Sequence, residues 1–368
     1  MVIEASGSES PGGLQALIEH GRQEFRLPEI DGEVCVYALL ETASCQACVE
    51  VCPRGAWSLD DEALDIDTAR CDGCGLCAPA CPQGVIRHGQ APARRHWKAR
   101  ALAFLACEQA PEQDPGSVMP CVHALGLQDL LVLYRDGFRH LVMQEVACED
   151  CPRGGARRLS EVLVQVNQLL SSRGLEEMRL RVVPGAKWRS MLSSTEMRGE
   201  GPRLDRRGFL RQALGTGIEE GLKAAGLRRD DTDPHAPPGT LLPEVSAADI
   251  FPFVPMIDPV KCSGCDACMR LCSHGALALE ETDEASRYVV HARNCAGCGI
   301  CTDVCDTGAM SVERMQAQAQ AEVALESQTC PSCRVAFHRP LAQYAPDEVT
   351  CPVCATATRY QDLYQFKD

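Results

Sequence analysis

"KCSGCDACMRLCSHGAL", residues 261–277, and "NCAGCGICTDVCDTGAM", residues 294–310, decide how this chain folds. Each run sets four cysteines at x2, x2, x3 spacing: Cys262, Cys265, Cys268 and Cys272, then Cys295, Cys298, Cys301 and Cys305. Three thiolates on so tight a loop can hold three corners of an iron–sulfur cube, and the fourth ligates the neighbouring cube. The expected sets are therefore crossed: Cys262, Cys265 and Cys268 with Cys305, and Cys295, Cys298 and Cys301 with Cys272. Gly275-Ala276 and Gly308-Ala309 are small enough to let the backbone pass close and donate N–H groups to sulfur. Ser273 and Asp306 stand where proline usually follows the fourth cysteine, which removes no ligand. Zinc sites or unligated core cysteines are the competing readings, and the doubled spacing argues against both.

An earlier block follows the same plan. "RCDGCGLCAPACPQGVI", residues 70–86, gives the complete run Cys71, Cys74, Cys77 and Cys81. "TASCQACVEVCPRGAW", residues 42–57, supplies Cys45, Cys48 and Cys52 but has Thr42 in the first position. Crossing assigns Cys52 to Cys71, Cys74 and Cys77, and leaves Cys45, Cys48 and Cys81 one sulfur short. Cys35, in "GEVCVYALLE", reads as part of a short β-like segment, and residues 36–44 are long enough to return it to the missing corner. Three readings stay open: Cys35 completes a [4Fe–4S] cluster, the site is a three-iron or water-ligated cluster, or Cys35 is a buried strand residue and no cluster forms. On the first reading, Thr42→Cys should rescue a cluster lost in Cys35→Ala.

The two blocks are an internal duplication, and composition suits it. With 24 Cys among 368 residues and only 5% aromatics, metal–thiolate bonds would stabilise modules too small for a large apolar core. The formal charge of −15 argues against a nucleic-acid partner. "MVIEASGSES" lacks a signal peptide's basic start and apolar stretch, and no run approaches the roughly 20 apolar residues of a membrane helix. A cytoplasmic protein without direct membrane insertion is expected.

Between the blocks, a basic bridge, "ARRHWKAR", leads into "ALAFLACE", "LQDLLVLYRDG", "HLVMQEVACEDC", "RRLSEVLVQVNQLLSSRG" and "RLRVVP", which alternate strand and helix patterns and predict a small α/β domain. Cys107, Cys148 and Cys151 end strands or begin the loops after them, and Cys121 sits at a strand-to-helix turn. Such loops gather at one sheet edge. Four thiols there suit a [2Fe–2S] cluster or zinc; an inert docking domain is the alternative. Near the C-terminus, "CPSC" and "CPVC" place Cys330, Cys333, Cys351 and Cys354 at zinc-ribbon spacing, with mononuclear iron sharing the geometry. "LQALIEHGRQEF" near the N-terminus, "DRRGFLRQALG" at 205–215 and an Ala/Gln-rich stretch at 313–327 read as helices. The second imitates a twin-arginine export motif but lies far inside the chain and lacks an apolar continuation. His123, His274, His291 and His338 lie near the cysteine loops and read as scaffold.

The cysteine runs resemble the bacterial dicluster ferredoxins, whose fold pairs β-hairpins and short helices around two cubes; the resemblance implies one-electron transfer. The central domain resembles the delta subunit of methyl-viologen-reducing hydrogenases in its order: strand with Cys107, turn with Cys121 before a helix, then Gly137-Phe138, then paired Cys148 and Cys151. It departs at the last pair, which is more widely spaced in that family.

The expected fold is α+β and multidomain: two ferredoxin-like dicluster modules, a small central α/β domain and a C-terminal zinc ribbon. The expected boundaries are a polar lead 1–30, a dicluster module 31–95, the α/β domain 96–185, helix and linker 186–250, a second dicluster module 251–315, and a helix with zinc-ribbon tail 316–368. The function expected is electron transfer through about four [4Fe–4S] clusters, with a redox protein partner or oxidoreductase complex such as a formate dehydrogenase or hydrogenase. A thiol- or metal-dependent enzyme built on the central domain and a metal-stabilised scaffold are the other readings. No nucleotide-binding glycine motif or Ser/His/Asp set supports catalysis.

Overall fold

A computed structural model describes residues 27–59, 64–89, 91–98, 100–112, 114, 118–153, 158–197, 235–243, 249–282, 285–343 and 349–355. The helices expected from "LQALIEHGRQEF" and "DRRGFLRQALG" lie outside these residues.

In the first cysteine block, β1 (Glu29–Ile30) leads into two short helices, α1 (Val36–Leu39) and α2 (Ala47–Val51). The hairpin β2 (Trp57–Leu59) with β3 (Leu64–Ile66) follows, and β4 (Ile86–Arg87) returns to pair antiparallel with β1. Cys35 is not on a β segment. It caps α1 and bonds back through its N–H to the Gly32 carbonyl, because the chain makes a tight turn at Gly32–Val34.

The central sheet has the order β10–β5–β6–β8–β9, with β7 also on β6. Its strands are β5 (Ala93–Trp97), β6 (Arg100–Cys107), β7 (Val118–Met119), β8 (His140–Gln144), β9 (Arg179–Val183) and β10 (Glu196–Met197). β6, β8 and β9 run parallel. Residues 102–107 of β6 are buried without a break, as a parallel strand covered on both faces must be. Helices α3 (Leu127–Arg135) and α4 (Arg158–Ser171) connect them, and α5 (Gly185–Ser193) closes the core. Trp188 on α5 is fully buried, donates from Nε1 to the Val142 carbonyl at 3.2 Å, and meets Phe104 edge-on with centroids 5.9 Å apart. The "ARRHW" stretch, expected as a bridge to the domain, is itself strand β5, with Ala93 buried and its arginines half-buried. The sheet thus extends beyond 96–185 on both sides.

The second block repeats the first topology at greater length. β11 (Ile250–Ile257) pairs with β14 (Met310–Ala317), and β12 (Leu277–Glu281) with β13 (Ser286–Val290), around α6 (Ala267–Arg270) and α7 (Ile300–Asp303). The helix expected over 313–327 is not formed. That stretch is the end of β14 and the start of β15 (Glu322–Thr329), which joins β13 and carries β16 (Ala336–Pro340) at its far edge. Helix propensity loses to an alternating pattern: Val323 and Leu325 are buried while Glu322, Ala324 and Glu326 are exposed. The glutamines that suggested helix serve the backbone instead. Gln318 accepts from Ala292 N at 3.0 Å and donates to the Val290 carbonyl at 2.7 Å, and Gln320 makes the same two-way bond with Ile257 at 3.0 and 3.1 Å.

Candidate metal centres

The loop geometry begins with glycine. Gly264 sits at φ +77°, and a Cβ there would stand 2.1 Å from the His338 carbonyl oxygen, so the Cys262–Cys268 loop requires it on two counts. Gly297 and Gly73 hold the same position, with positive φ, in two other runs. The incomplete run departs here, because Ser44 occupies that position and Gln46, at φ −125°, replaces the left-handed residue that follows the second cysteine elsewhere. After the fourth cysteine each chain turns so that a backbone N–H faces sulfur: Ala276 N to Cys272 Sγ at 3.2 Å, Ala309 N to Cys305 Sγ at 3.2 Å, and Ala56 N to Cys52 Sγ at 3.3 Å.

Four sets of four thiols gather in the two blocks. Cys52, Cys71, Cys74 and Cys77 line one pocket, and Cys35, Cys45, Cys48 and Cys81 line another. Burial, then Cys81 and Cys45, push the Cys48 thiol up to about 12; burial raises Cys45 too, against the Ala47 N–H, with Cys35 adding to the rise. Thr42, by contrast, is exposed in a turn and lines neither pocket. In the second block, burial and then Cys262, Cys265 and Cys305 push Cys268 up to about 12. Burial likewise drives Cys295 to about 12 against the Gly297 N–H, with Cys298 and Cys272 beside it, and Cys301 neighbours all three. Three of the sets mix three sulfurs of one run with one from its partner, while the fourth takes Cys45 and Cys48 from the incomplete run, Cys81 from its partner and Cys35 from the cap of α1. Crowded, buried thiols resist ionising by themselves, so a polycationic iron–sulfur core that binds thiolates suits the donor sets.

The two modules meet at their cysteine loops. Ser44 donates from N and Oγ to the two carboxylate oxygens of Asp303, both at 2.8 Å. Cys45 and Cys298 pack into one apolar cluster with Val36, Ala43 and Ile300. Beside them Gln83 donates to Ser273 Oγ at 3.3 Å and accepts from His274 Nε2 at 2.5 Å.

In the central domain, Cys107, Cys121, Cys148 and Cys151 converge beyond the C-terminal ends of β6 and β8. Burial raises Cys121 to about 11 and also raises Cys107 and Cys148; Cys151 acts on all three. His123 is buried, and its Nδ1 accepts from Leu159 N at 3.3 Å. That leaves Nε2–H to donate to Cys148 Sγ at 3.4 Å. His338, like His274, bonds to protein groups: its Nε2 lies 2.8 Å from Asp266 Oδ1, which also accepts from Tyr288 Oη at 2.7 Å.

At the C-terminus the sulfurs of Cys330, Cys333, Cys351 and Cys354 lie within 4.8 Å of one another, the one group among the described residues so tightly drawn. Backbone N–H groups of Cys333 and Cys351 hold the Cys330 thiol down at about 6, while Cys354, beside Cys333 and Cys351, is pushed up to about 12. A shared ion fits four such donors.

Sequence reasoning missed Arg153, a side chain only 9% exposed between the first module and the central thiols. Its position two residues after Cys151 was the available signal. Among the described residues no helix is long and apolar enough to cross a membrane.

Residues 43–85 and 261–309 each match the model of the 4Fe-4S dicluster domain. Hydrogenase-4 component A of Escherichia coli K12 is 29% identical over 110 residues, 30% of this chain and 48% of that protein. An uncharacterized ferredoxin of Methanocaldococcus jannaschii is 40% identical over 67 residues, 18% of this chain and 41% of the relative. The arsenate respiratory reductase iron-sulfur subunit ArrB of Shewanella sp. ANA-3 is 42% identical over 52 residues, 14% of this chain and 22% of the subunit. The chain thus spans less than half the length of each of these relatives. It carries two 4Fe-4S dicluster domains, and its relatives are ferredoxin-like iron–sulfur proteins.

Proposed function

We propose that the protein is an electron-transfer subunit of an oxidoreductase assembly. The observation that carries this reading is the direct contact of the two dicluster modules at Cys45 and Cys298, which brings two of the four thiol sets together. A [4Fe–4S] cluster supplies reversible one-electron chemistry when bound. The chain's residues do the rest. Cys52, Cys71, Cys74 and Cys77 hold one cluster; Cys35, Cys45, Cys48 and Cys81 a second; Cys272, Cys295, Cys298 and Cys301 a third; Cys262, Cys265, Cys268 and Cys305 the fourth. N–H groups such as those of Ala56, Ala276 and Ala309 stabilise the extra negative charge of a reduced cluster.

The central thiols suit a [2Fe–2S] cluster better than zinc, because they do not draw into the tight group that a single ion needs. The C-terminal thiols do, and there structural zinc is the reading. A hydrogenase or a respiratory reductase is the class of partner, by analogy with the names of the relatives. Twenty-four free cysteines suit a reducing compartment such as the cytoplasm.

Anaerobic potentiometry followed by EPR tests the reading. Several reversible signals are expected from the full-length protein; redox silence, or turnover of a small-molecule substrate by the isolated chain, would overturn it.

A further inference from the structure

Arg153 touches the loops of two different thiol sets. Its Nε donates to Asp72 Oδ2 at 3.1 Å, and Asp72 lies between Cys71 and Cys74. Its Nη2 donates to Glu108 Oε2 at 3.0 Å, one residue after Cys107. Nη1 donates to the carbonyl of Pro120, one residue before Cys121. Arg153 itself follows Cys151 by two residues. One guanidinium therefore ties the loops of three central cysteines to the Cys71–Cys74 loop of the first module.

The sulfurs on either side are close as well. Cys74 and Cys121 pack in one small apolar cluster with Leu76 and Val51. Arginine stays protonated through the whole accessible range, so the cation is permanent. Its planar fork also donates in fixed directions from three separate nitrogens, where a lysine has three rotatable N–H groups on one.

We infer that Arg153 is a positioning residue that couples the central four-cysteine centre to the Cys52, Cys71, Cys74 and Cys77 centre, holding the two as one redox pair and stabilising the reduced form of both. This inference rests on the electron-transfer reading above. It identifies the first dicluster module as the internal redox partner of the central domain. A permanent positive charge between two centres favours the extra electron on either, so its removal should lower both reduction potentials together.

The test is anaerobic EPR potentiometry on the full-length, cluster-loaded protein. Signals are assigned by their loss in Cys74→Ser and Cys148→Ser. In Arg153→Gln both midpoints should fall, with the reduced-to-oxidised ratio at the wild-type midpoint dropping about tenfold, or about 59 mV for a one-electron couple. Arg153→Lys should hold both midpoints nearer to wild type while altering the magnetic interaction between the two signals. Arg54→Gln serves as control. That guanidinium is 44% exposed and also pairs with Asp72, at 3.2 Å, and its loss should shift the Cys74 signal alone. A shift of only one signal in Arg153→Gln, or of neither, overturns the inference, as does a redox-silent central centre. Should Arg153→Gln lose its iron, Arg153→Lys decides: joint displacement of the two midpoints or an altered interaction supports the coupling, and a wild-type spectrum overturns it. Wild-type protein without reversible signals would instead overturn the electron-transfer reading itself.

Discussion

Replacing Cys35 by alanine puts the least regular of the thiol sets to the test. Cys35 stands at the cap of a four-residue helix and lines a pocket with Cys45, Cys48 and Cys81. The deletion removes one sulfur from a half-buried site, so the cost to folding should be about 1 kcal/mol, the low end of side-chain truncation. The cost to the cluster is larger, because a cube with one cysteine missing either opens to a three-iron form or is lost. Four cubes carry about 16 irons. Cys35→Ala should therefore lose about one iron if the cluster opens and about four, a quarter of the total, if it goes entirely. Iron analysis with Mössbauer and EPR spectra of anaerobically prepared protein reads this directly, and a melting curve checks the fold. Regular spacing suggests that Thr42→Cys would rescue the loss. The exposed turn at Thr42 says that it will not, and Cys35→Ala/Thr42→Cys should stay iron-poor. Unchanged iron and spectrum in Cys35→Ala, or recovery in the double variant, would refute this account of the site.

Gly264→Ala should disrupt the Cys262–Cys268 loop, since left-handed strain of about 1–3 kcal/mol adds to the contact with the His338 carbonyl; loss of one cube signal in EPR checks it. Trp188→Ala should destabilise the central domain by about 3–5 kcal/mol, through the cavity it leaves and the loss of its hydrogen bond to the Val142 carbonyl, seen as a lower denaturant midpoint. Cys330→Ser should broaden the signal of the Cys262, Cys265, Cys268 and Cys305 set, because β15 and β16 share a sheet with β12 and β13; an unaltered signal would make the tail independent. His123 has its pKa lowered by burial and then by Arg158, so the unfolded chain binds its proton first. Stability should fall as pH drops below about 6.5 and go on falling down to the folded pKa, and His123→Asn should flatten that part of a pH–stability curve.

Much of this was legible in residue spacing, because cluster loops are local objects. Runs at x2, x2, x3 dictate which sulfurs share a loop, and the crossing follows from the length of the turn after the third. The alternation of strand and helix likewise marked the central domain. The failures have a common cause. The Ala/Gln stretch 313–327 looked helical by composition, yet its side chains answer to β13 and β11, partners distant in sequence. "ARRHW" looked like a linker because its arginines hide the burial of Ala93, which only the neighbouring β6 supplies. Arg153 was missed for the same reason, since its acceptors come from residues 72, 108 and 120 and only its place after Cys151 marked it.

The β15–β16 hairpin has a consequence for the order in which the protein can be built on the ribosome. Its residue His338 presses its carbonyl against Gly264 and bonds through its ring to Asp266, both within one cluster loop. Synthesis runs from the N-terminus, and domains tend to fold as they emerge. The first module and the central sheet therefore have all their strands up to β10 well before residues 336–340 leave the exit tunnel. The Cys262–Cys268 loop, complete in sequence by then, still lacks the strand that braces it. Metallation of this cluster should accordingly wait until residues 336–340 have emerged, and a nascent chain arrested before that point should carry the first module's centres loaded and this one empty.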